Sequence, residues 1–189
     1  MESVAQPASD AVYNAITFEQ ARRAAFTDPV TGLVSFRTLS TQFERERARS
    51  QRLGTPLSLL TISIDAPQES GLKMLSEIEQ VLTTLGKLIR QQLRETDLVA
   101  RHGASGFIAL LPDSGQAEAN EVRNRICDVI ATTAVENDMK ISSGTATSPG
   151  NGNNFEELIQ AAQMDCIAGR ESNELLAPIL KNLLSGGAL

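Results

Sequence analysis

Tryptophan is absent from this chain, tyrosine occurs once and phenylalanine six times. Binding bases by stacking them on exposed aromatic side chains is therefore a poor expectation. Histidine occurs once, as His102, which excludes a histidine-rich metal centre and any scheme that needs two imidazoles. The two cysteines, Cys127 and Cys166, lie in apolar stretches with no partner at metal-ligand spacing, and read as small buried thiols in a reducing compartment. No apolar run approaches membrane-spanning length. The opening residues MESVAQPASDAVYNA lack the basic start and apolar stretch of a signal peptide. Positive charge is scarce too. Formal net charge is −6, and residues 55–189 carry ten Lys/Arg against seventeen Asp/Glu, so the electrostatic footprint for nucleic-acid polymers or anionic membranes is missing. The expectation is a soluble, cytoplasmic protein that binds neither.

What is present suits one domain with short ends. The 189 residues are 41% hydrophobic and 21% charged, enough to bury a core but too few for two substantial domains. Residues 1–16 are small and polar and read as a flexible N-terminal tail. Thr17-Phe18-Glu19-Gln20 fits a capping box that opens an N-terminal helix over 17–26. After the break at Asp28–Leu33, a helix is expected over about Phe36–Leu53, with a charged face at Glu44–Arg49 read as solvated, and Gly54-Thr55-Pro56 ends it. Leu60, Ile62 and Ile64 alternate with Thr61, Ser63 and Asp65, the pattern of a strand over Leu57–Asp65.

Beyond Pro67 a long helix carries the stripe Leu72, Leu75, Ile78, Leu82, Leu85 and Ile89, to about Leu93. Two short apolar runs, Leu98–Ala100 and Phe107–Leu111, flank a glycine-containing turn and predict a β-hairpin. A helix with Ala119, Val122, Ile126 and Ile130 on one side follows. Met139–Thr147 is a strand, and Phe155, Leu158, Ile159 and Ala162 mark a helix to about Ala168. Strands interleaved with helices, plus one hairpin, predict an α/β (α+β) domain with a mixed central sheet. Leu175, Leu176, Ile179, Leu180, Leu183 and Leu184 recur at helical spacing, so 172–189 is read as a C-terminal amphipathic extension, with Pro178 in its first turn.

Several landmarks fall in a familiar order. Asp28-Pro29-Val30-Thr31-Gly32-Leu33 resembles the D-x-L-T-G-L entry of GGDEF domains, the diguanylate cyclase family. Arg94-Glu95-Thr96-Asp97-Leu98-Val99-Ala100-Arg101 resembles its R-x-x-D-x-x-x-R stretch, Phe107–Pro112 the strand after its signature, and Ile141–Ala146 its late S-I-G-x-A strand. Together the four pieces are specific, and they assign 27–171 to a degenerate GGDEF-like domain. The resemblance implies a palm-like sheet similar to nucleotide cyclases. It also implies condensation of two GTP into cyclic di-GMP, a phosphoryl transfer that depends on carboxylate-held divalent metals.

The catalytic positions that the resemblance implies are replaced here. The signature G-G-[DE]-E-F falls on Gly103, Ala104, Ser105, Gly106 and Phe107, so both acidic residues are gone. The family's metal Asp on the first strand falls on Ser63, its phosphate-binding Lys on Gln68 and its guanine-binding Asn on Gly71. Its late Lys falls on Gly169 and its Tyr on Cys166, with Arg170 adjacent. A hydroxyl or a hydrogen does not replace an anionic ligand for a hard cation. No catalytic residue, no metal and no cofactor are expected, and the chain is read as a non-enzyme.

The R-x-x-D stretch is intact as Arg94 and Asp97. In the family this is the inhibitory site that binds cyclic di-GMP, and the resemblance adds a supporting arginine on the next helix, Arg125, with Arg123 as fallback. The chemistry suits guanine: a guanidinium fork matches the N7 and O6 acceptors, and a carboxylate matches the N1–H and amine donors. The competing reading is a solvated surface ion pair worth little. Two functions follow, a cyclic di-GMP receptor acting through another signalling protein, or an interaction scaffold that binds no nucleotide. Partner contacts are expected through the N-terminal helix or the C-terminal leucine-rich helix, including a homodimer. With no room for a sensor module, input or output is expected from another protein.

Overall fold

The computed structural model describes residues 26–65, 72–136 and 139–185. The tail at 1–16 lies outside them, as do all but the last residue of the helix expected at 17–26, Gln68 and Gly71, and the side chains of Leu72, Leu75 and the C-terminal leucines. Asp28 ties the entry loop: its Oδ1 accepts hydrogen bonds from the Thr31 N–H (2.8 Å) and hydroxyl (2.7 Å), and Gly32 takes the left-handed φ of 70° that the turn requires.

Helix α1 (Phe36–Leu53) starts where the Ser35 hydroxyl accepts from the Thr38 N–H, and stops at Gly54 in the left-handed conformation. Strand β1 (Leu57–Asp65) follows, then helix α2 (Leu72–Gln91), strands β2 (Leu98–His102) and β3 (Gly106–Pro112), and helix α3 (Gln116–Glu136). Strand β4 (Lys140–Ser148) and helix α4 (Phe155–Ser185) complete the order. The sequence predicts an end for the last helix near Ala168 and a new start near Pro178. The helix instead continues unbroken through both. Once formed, a helix adds one backbone hydrogen bond per residue, so it can run on past the point where its apolar stripe weakens.

The sheet order is β2-β3-β1-β4, and each of its pairings is antiparallel. The expected mixed sheet thus has its parallel component confined, among the described residues, to one bridge between Val34 and Ala100 at the β2 edge. Strand alternation sends side chains to two apolar layers. Leu60, Ile62, Ile64, Val99 and Phe107 meet Leu82, Leu85 and Ile89 of α2 and Val122, Ile126 and Ile130 of α3. On the other face, Leu57, Leu59, Ile108, Leu110 and Ala146 meet Leu39 and Phe43 of α1 and Phe155, Leu158 and Ala162 of α4. β1 is central and buried on both faces, so Ser58 and Thr61 are buried with it; the Ser58 hydroxyl donates to the Ser114 carbonyl (2.7 Å).

Helix α4 lies unusually close to β4. A Cβ added at Gly144 would stand 2.2 Å from the Ala162 carbonyl oxygen and 2.3 Å from the Cys166 nitrogen. Only glycine lets this helix seat on this strand, which in turn fixes which α4 side chains reach the sheet's end.

Candidate functional site

Two regions hold the residues singled out by the sequence. The first is a cavity of about 440 Å³ on the α4 face of the sheet, beside the β2–β3 hairpin. Its lining includes Ser63 of β1, Ala104, Ser105, Gly106 and Phe107 of the hairpin, Ser142 of β4, and Gln163, Cys166 and Arg170 of α4. The structure thus brings the predicted signature positions together with Ser63. Gly103 shapes the turn itself, with φ 65°.

The hairpin tip is held by its backbone. The Arg101 guanidinium donates to the Ala104 carbonyl (2.6 Å), and the Ile64 N–H donates to the Ser105 carbonyl (2.9 Å). Position 106 is tight: an added Cβ would lie 2.9 Å from the His102 carbonyl oxygen and 3.0 Å from that of Ile62. Asp65 is the one carboxylate among the described lining residues, and its Oδ2 pairs with Arg170 at 2.6 Å. Arg170 also donates to the Ser142 hydroxyl (3.1 Å), so it ties α4 to the ends of β1 and β4. Asp65 sits at a strand end, as expected, and Arg170, next to Gly169, is the group that meets it.

His102 differs from its expected place. The sequence reads it as an exposed residue of the hairpin turn, whereas it is the last residue of β2 and half-buried, with its ring centroid 5.0 Å from that of Phe36. Strand alternation turns it toward the α1–α4 layer, where Phe36 covers it. This burial, which disfavours the charged ring, lowers its pKa below the ordinary 6.5.

The second region is the turn that follows α2. Arg94 and Asp97 close it from both sides: the Asp97 Oδ2 accepts from the Arg94 N–H (2.8 Å), and the Asp97 N–H donates to the Arg94 carbonyl (3.2 Å). Asp97 is only 2% exposed, and its Oδ1 is buried with no hydrogen-bond partner among the described residues. The Arg94 side chain is exposed. Arg125 reaches this turn from α3 and donates to the Gln92 carbonyl at 2.6 Å. The fallback, Arg123, points elsewhere, pairing with Asp165 of α4 at 3.4 Å. Two residues along a helix lie on opposite sides, so only one of the pair can face α2.

Sequence reasoning missed Arg90. Its guanidinium donates to the Arg94 carbonyl at 2.8 Å, the same oxygen that closes the turn. The spacing of four from Arg94 was the available signal. The charged face of α1 is a run of exposed pairs, Arg47 with Glu44 and Arg49 with Glu46 and Asp113. Both cysteines are free, Cys166 buried and Cys127 half-buried. No helix among the described residues is long and apolar enough to cross a membrane.

Known proteins share this architecture. A family model described as "Diguanylate cyclase, GGDEF domain" matches residues 25–174. Diguanylate cyclase DosC of Escherichia coli (strain K12) is 30% identical over 150 residues, covering 76% of this chain and 33% of that protein. The chain therefore spans about a third of the length of such relatives. The crystal structure of the coiled coil and GGDEF domain of DgcB from Caulobacter crescentus, in complex with c-di-GMP, superposes with a TM-score of 0.67 at 20% identity, covering 89% of this chain and 93% of that one. Diguanylate cyclase SiaD from Pseudomonas aeruginosa, in complex with its activator SiaC, gives 0.66 at 25% identity, covering 90% and 68%. The α+β fold is that of these neighbours.

Proposed function

The chain belongs to the GGDEF domain family, and from that premise we propose that it is a catalytically inactive member that serves cyclic di-GMP signalling as a receptor. It binds the dinucleotide at the turn after α2, through Arg94, Asp97 and Arg125, and acts through a partner protein. The observation that carries this reading is the meeting of Arg125 with the end of α2, 2.6 Å from the Gln92 carbonyl and beside the Arg94–Asp97 turn. Groups from two helices converge where a guanine and its phosphate find a guanidinium fork, further arginine donors and a carboxylate. The c-di-GMP found with the neighbour DgcB lends further support.

Inactivity rests on the hairpin cavity. The divalent metal that the family implies does not fit the residues there. A hard cation is held by several anionic oxygens. Here positions 63, 105 and 142 offer neutral hydroxyls, and the Asp65 carboxylate is already engaged by Arg170. No phosphoryl-transfer step is derived through such a metal.

Calorimetric titration with cyclic di-GMP tests the receptor reading. Saturable binding at micromolar protein, lost in Arg94→Ala, is expected; no heat from the wild-type chain would sink it. Incubation with GTP and Mg²⁺ or Mn²⁺ tests inactivity, with no cyclic di-GMP formed; sustained turnover overturns it. A scaffold that binds no nucleotide is the second reading. It draws on α4, which runs to Ser185 and exposes Met164 and Ile167, and on the neighbour SiaD, whose structure holds a protein partner.

A further inference from the structure

We propose that Arg90 is a further ligand-binding residue of the dinucleotide site, a cation that pairs with one of the two phosphodiesters of the ligand. The inference rests on the receptor reading and deepens it. Arg90 is exposed in the last turn of α2, four residues before Arg94, which lies past the helix end. Its guanidinium is fixed 2.8 Å from the Arg94 carbonyl, and the same carbonyl accepts the Asp97 N–H. Arg125 is fixed in the same way on the Gln92 carbonyl. Two residues of chain span at most about 7 Å, so both guanidiniums stand over one short stretch of backbone.

Each of these contacts uses one donor of a group that carries five. The remaining donors are held in place before any ligand arrives, which lowers the ordering cost of binding. Charge points the same way. Arg90, in the last turn of α2, and Arg94, just past its end, are like charges close in the chain that repel each other unless something answers them. The helix C-terminus answers in part. Asp97 answers little outward, because it is 2% exposed and one oxygen is spent on the Arg94 N–H. Its other oxygen is buried without a partner among the described residues, an unsatisfied acceptor in the turn on which Arg90 and Arg125 are anchored. A dianion with guanine donors answers both deficits at once.

The bland alternative is that Arg90 only caps the carbonyls at the end of α2. Arg90→Gln separates the two, since the amide can still donate to the Arg94 carbonyl while the charge is gone. The test is calorimetry with cyclic di-GMP on the whole chain at several salt concentrations. We expect Arg90→Gln to weaken binding by about tenfold and to flatten the salt dependence, with Arg90→Lys in between. Lys87→Ala, which removes an exposed cation one turn earlier, should stay within about twofold. The melting temperature of the ligand-free Arg90→Gln protein should barely move. Wild-type affinity in Arg90→Gln overturns the proposal and leaves the receptor reading standing if Arg94→Ala still loses binding. An equal loss in Lys87→Ala also overturns it, in favour of a diffuse field. No binding by the wild type removes the receptor reading and this one with it.

Discussion

At the hairpin cavity the backbone is held in detail, while the lining is mostly neutral, with hydroxyls at Ser63, Ser105 and Ser142 and one carboxylate, Asp65, already paired with Arg170. At the turn after α2, the backbone is equally well tied, but the side chains are charged: Arg94 exposed, Arg125 and Arg90 anchored on carbonyls, and Asp97 buried with one oxygen that has no partner among the described residues. Both regions hang on the same sheet, one on the α1–α4 layer and the other at the end of the α2–α3 layer. A fold can thus hold the frame of a site whatever side chains line it, because the frame is also what packs the core. Charged groups at a helix end carry no such packing duty, so their presence together says more about a ligand.

The largest effect should come from breaking the frame of one region without touching the other. Gly144→Ala forces a methyl into the backbone of α4 at Ala162 and Cys166. It should cost about 3 kcal/mol or more in urea unfolding, at the upper end for overpacking a core. A neutral result would mean that α4 is not seated as described. Next in size, Arg94→Ala should weaken cyclic di-GMP binding at least about tenfold, or ~1.4 kcal/mol, while Ser105→Ala leaves it within about twofold. Equal losses at both positions, read by calorimetry, would erase the distinction between the regions.

Gly106→Glu, which places an acidic residue in the hairpin, should destabilise the chain by about 1–2 kcal/mol, because the new Cβ lies 2.9 Å from the His102 carbonyl oxygen. An unchanged urea midpoint would show that the position is still open to an acidic side chain. A smaller effect concerns His102. Its folded pKa lies below 6.5, so the unfolded chain takes up the proton more readily and stability falls as pH drops below 6.5. The imidazole should titrate below the usual value by NMR, and His102→Gln should remove that part of the pH dependence. Smallest of all, Arg170→Ala should change stability by no more than about 0.5 kcal/mol. The Asp65–Arg170 pair is nearly half exposed on both sides, and such pairs contribute little.

Element boundaries were legible where local chemistry marks them. Phe36–Leu53 was expected to end at Gly54-Thr55-Pro56, and both ends agree with the structure, which adds the Ser35 hydroxyl as the cap at its start. The hairpin and the strand Leu57–Asp65 were legible from apolar runs between turn residues. The end of α4 was not, because the weakening of a stripe near Ala168 signals the end of packing and not the end of hydrogen bonding. Within the candidate sites, the signature positions could be found by order along the chain. The choice between Arg125 and Arg123 could not, since it depends on which side of α3 faces α2. Arg90 escaped because its partner is a backbone carbonyl, which has no letter in a sequence.

By itself the sequence determined the family, the α+β class and the neutral residues Ser63, Ser105 and Gly106, because these are matters of residue identity and periodicity. Only the tertiary structure decided that Arg125 joins the Arg94–Asp97 turn while Arg123 pairs with Asp165, that Arg170 occupies Asp65, and that His102 is covered by Phe36. Each of these depends on how two elements far apart in the chain are seated against each other. Close packing sets that seating, and here much of it follows from one glycine, Gly144, which lets α4 approach the sheet.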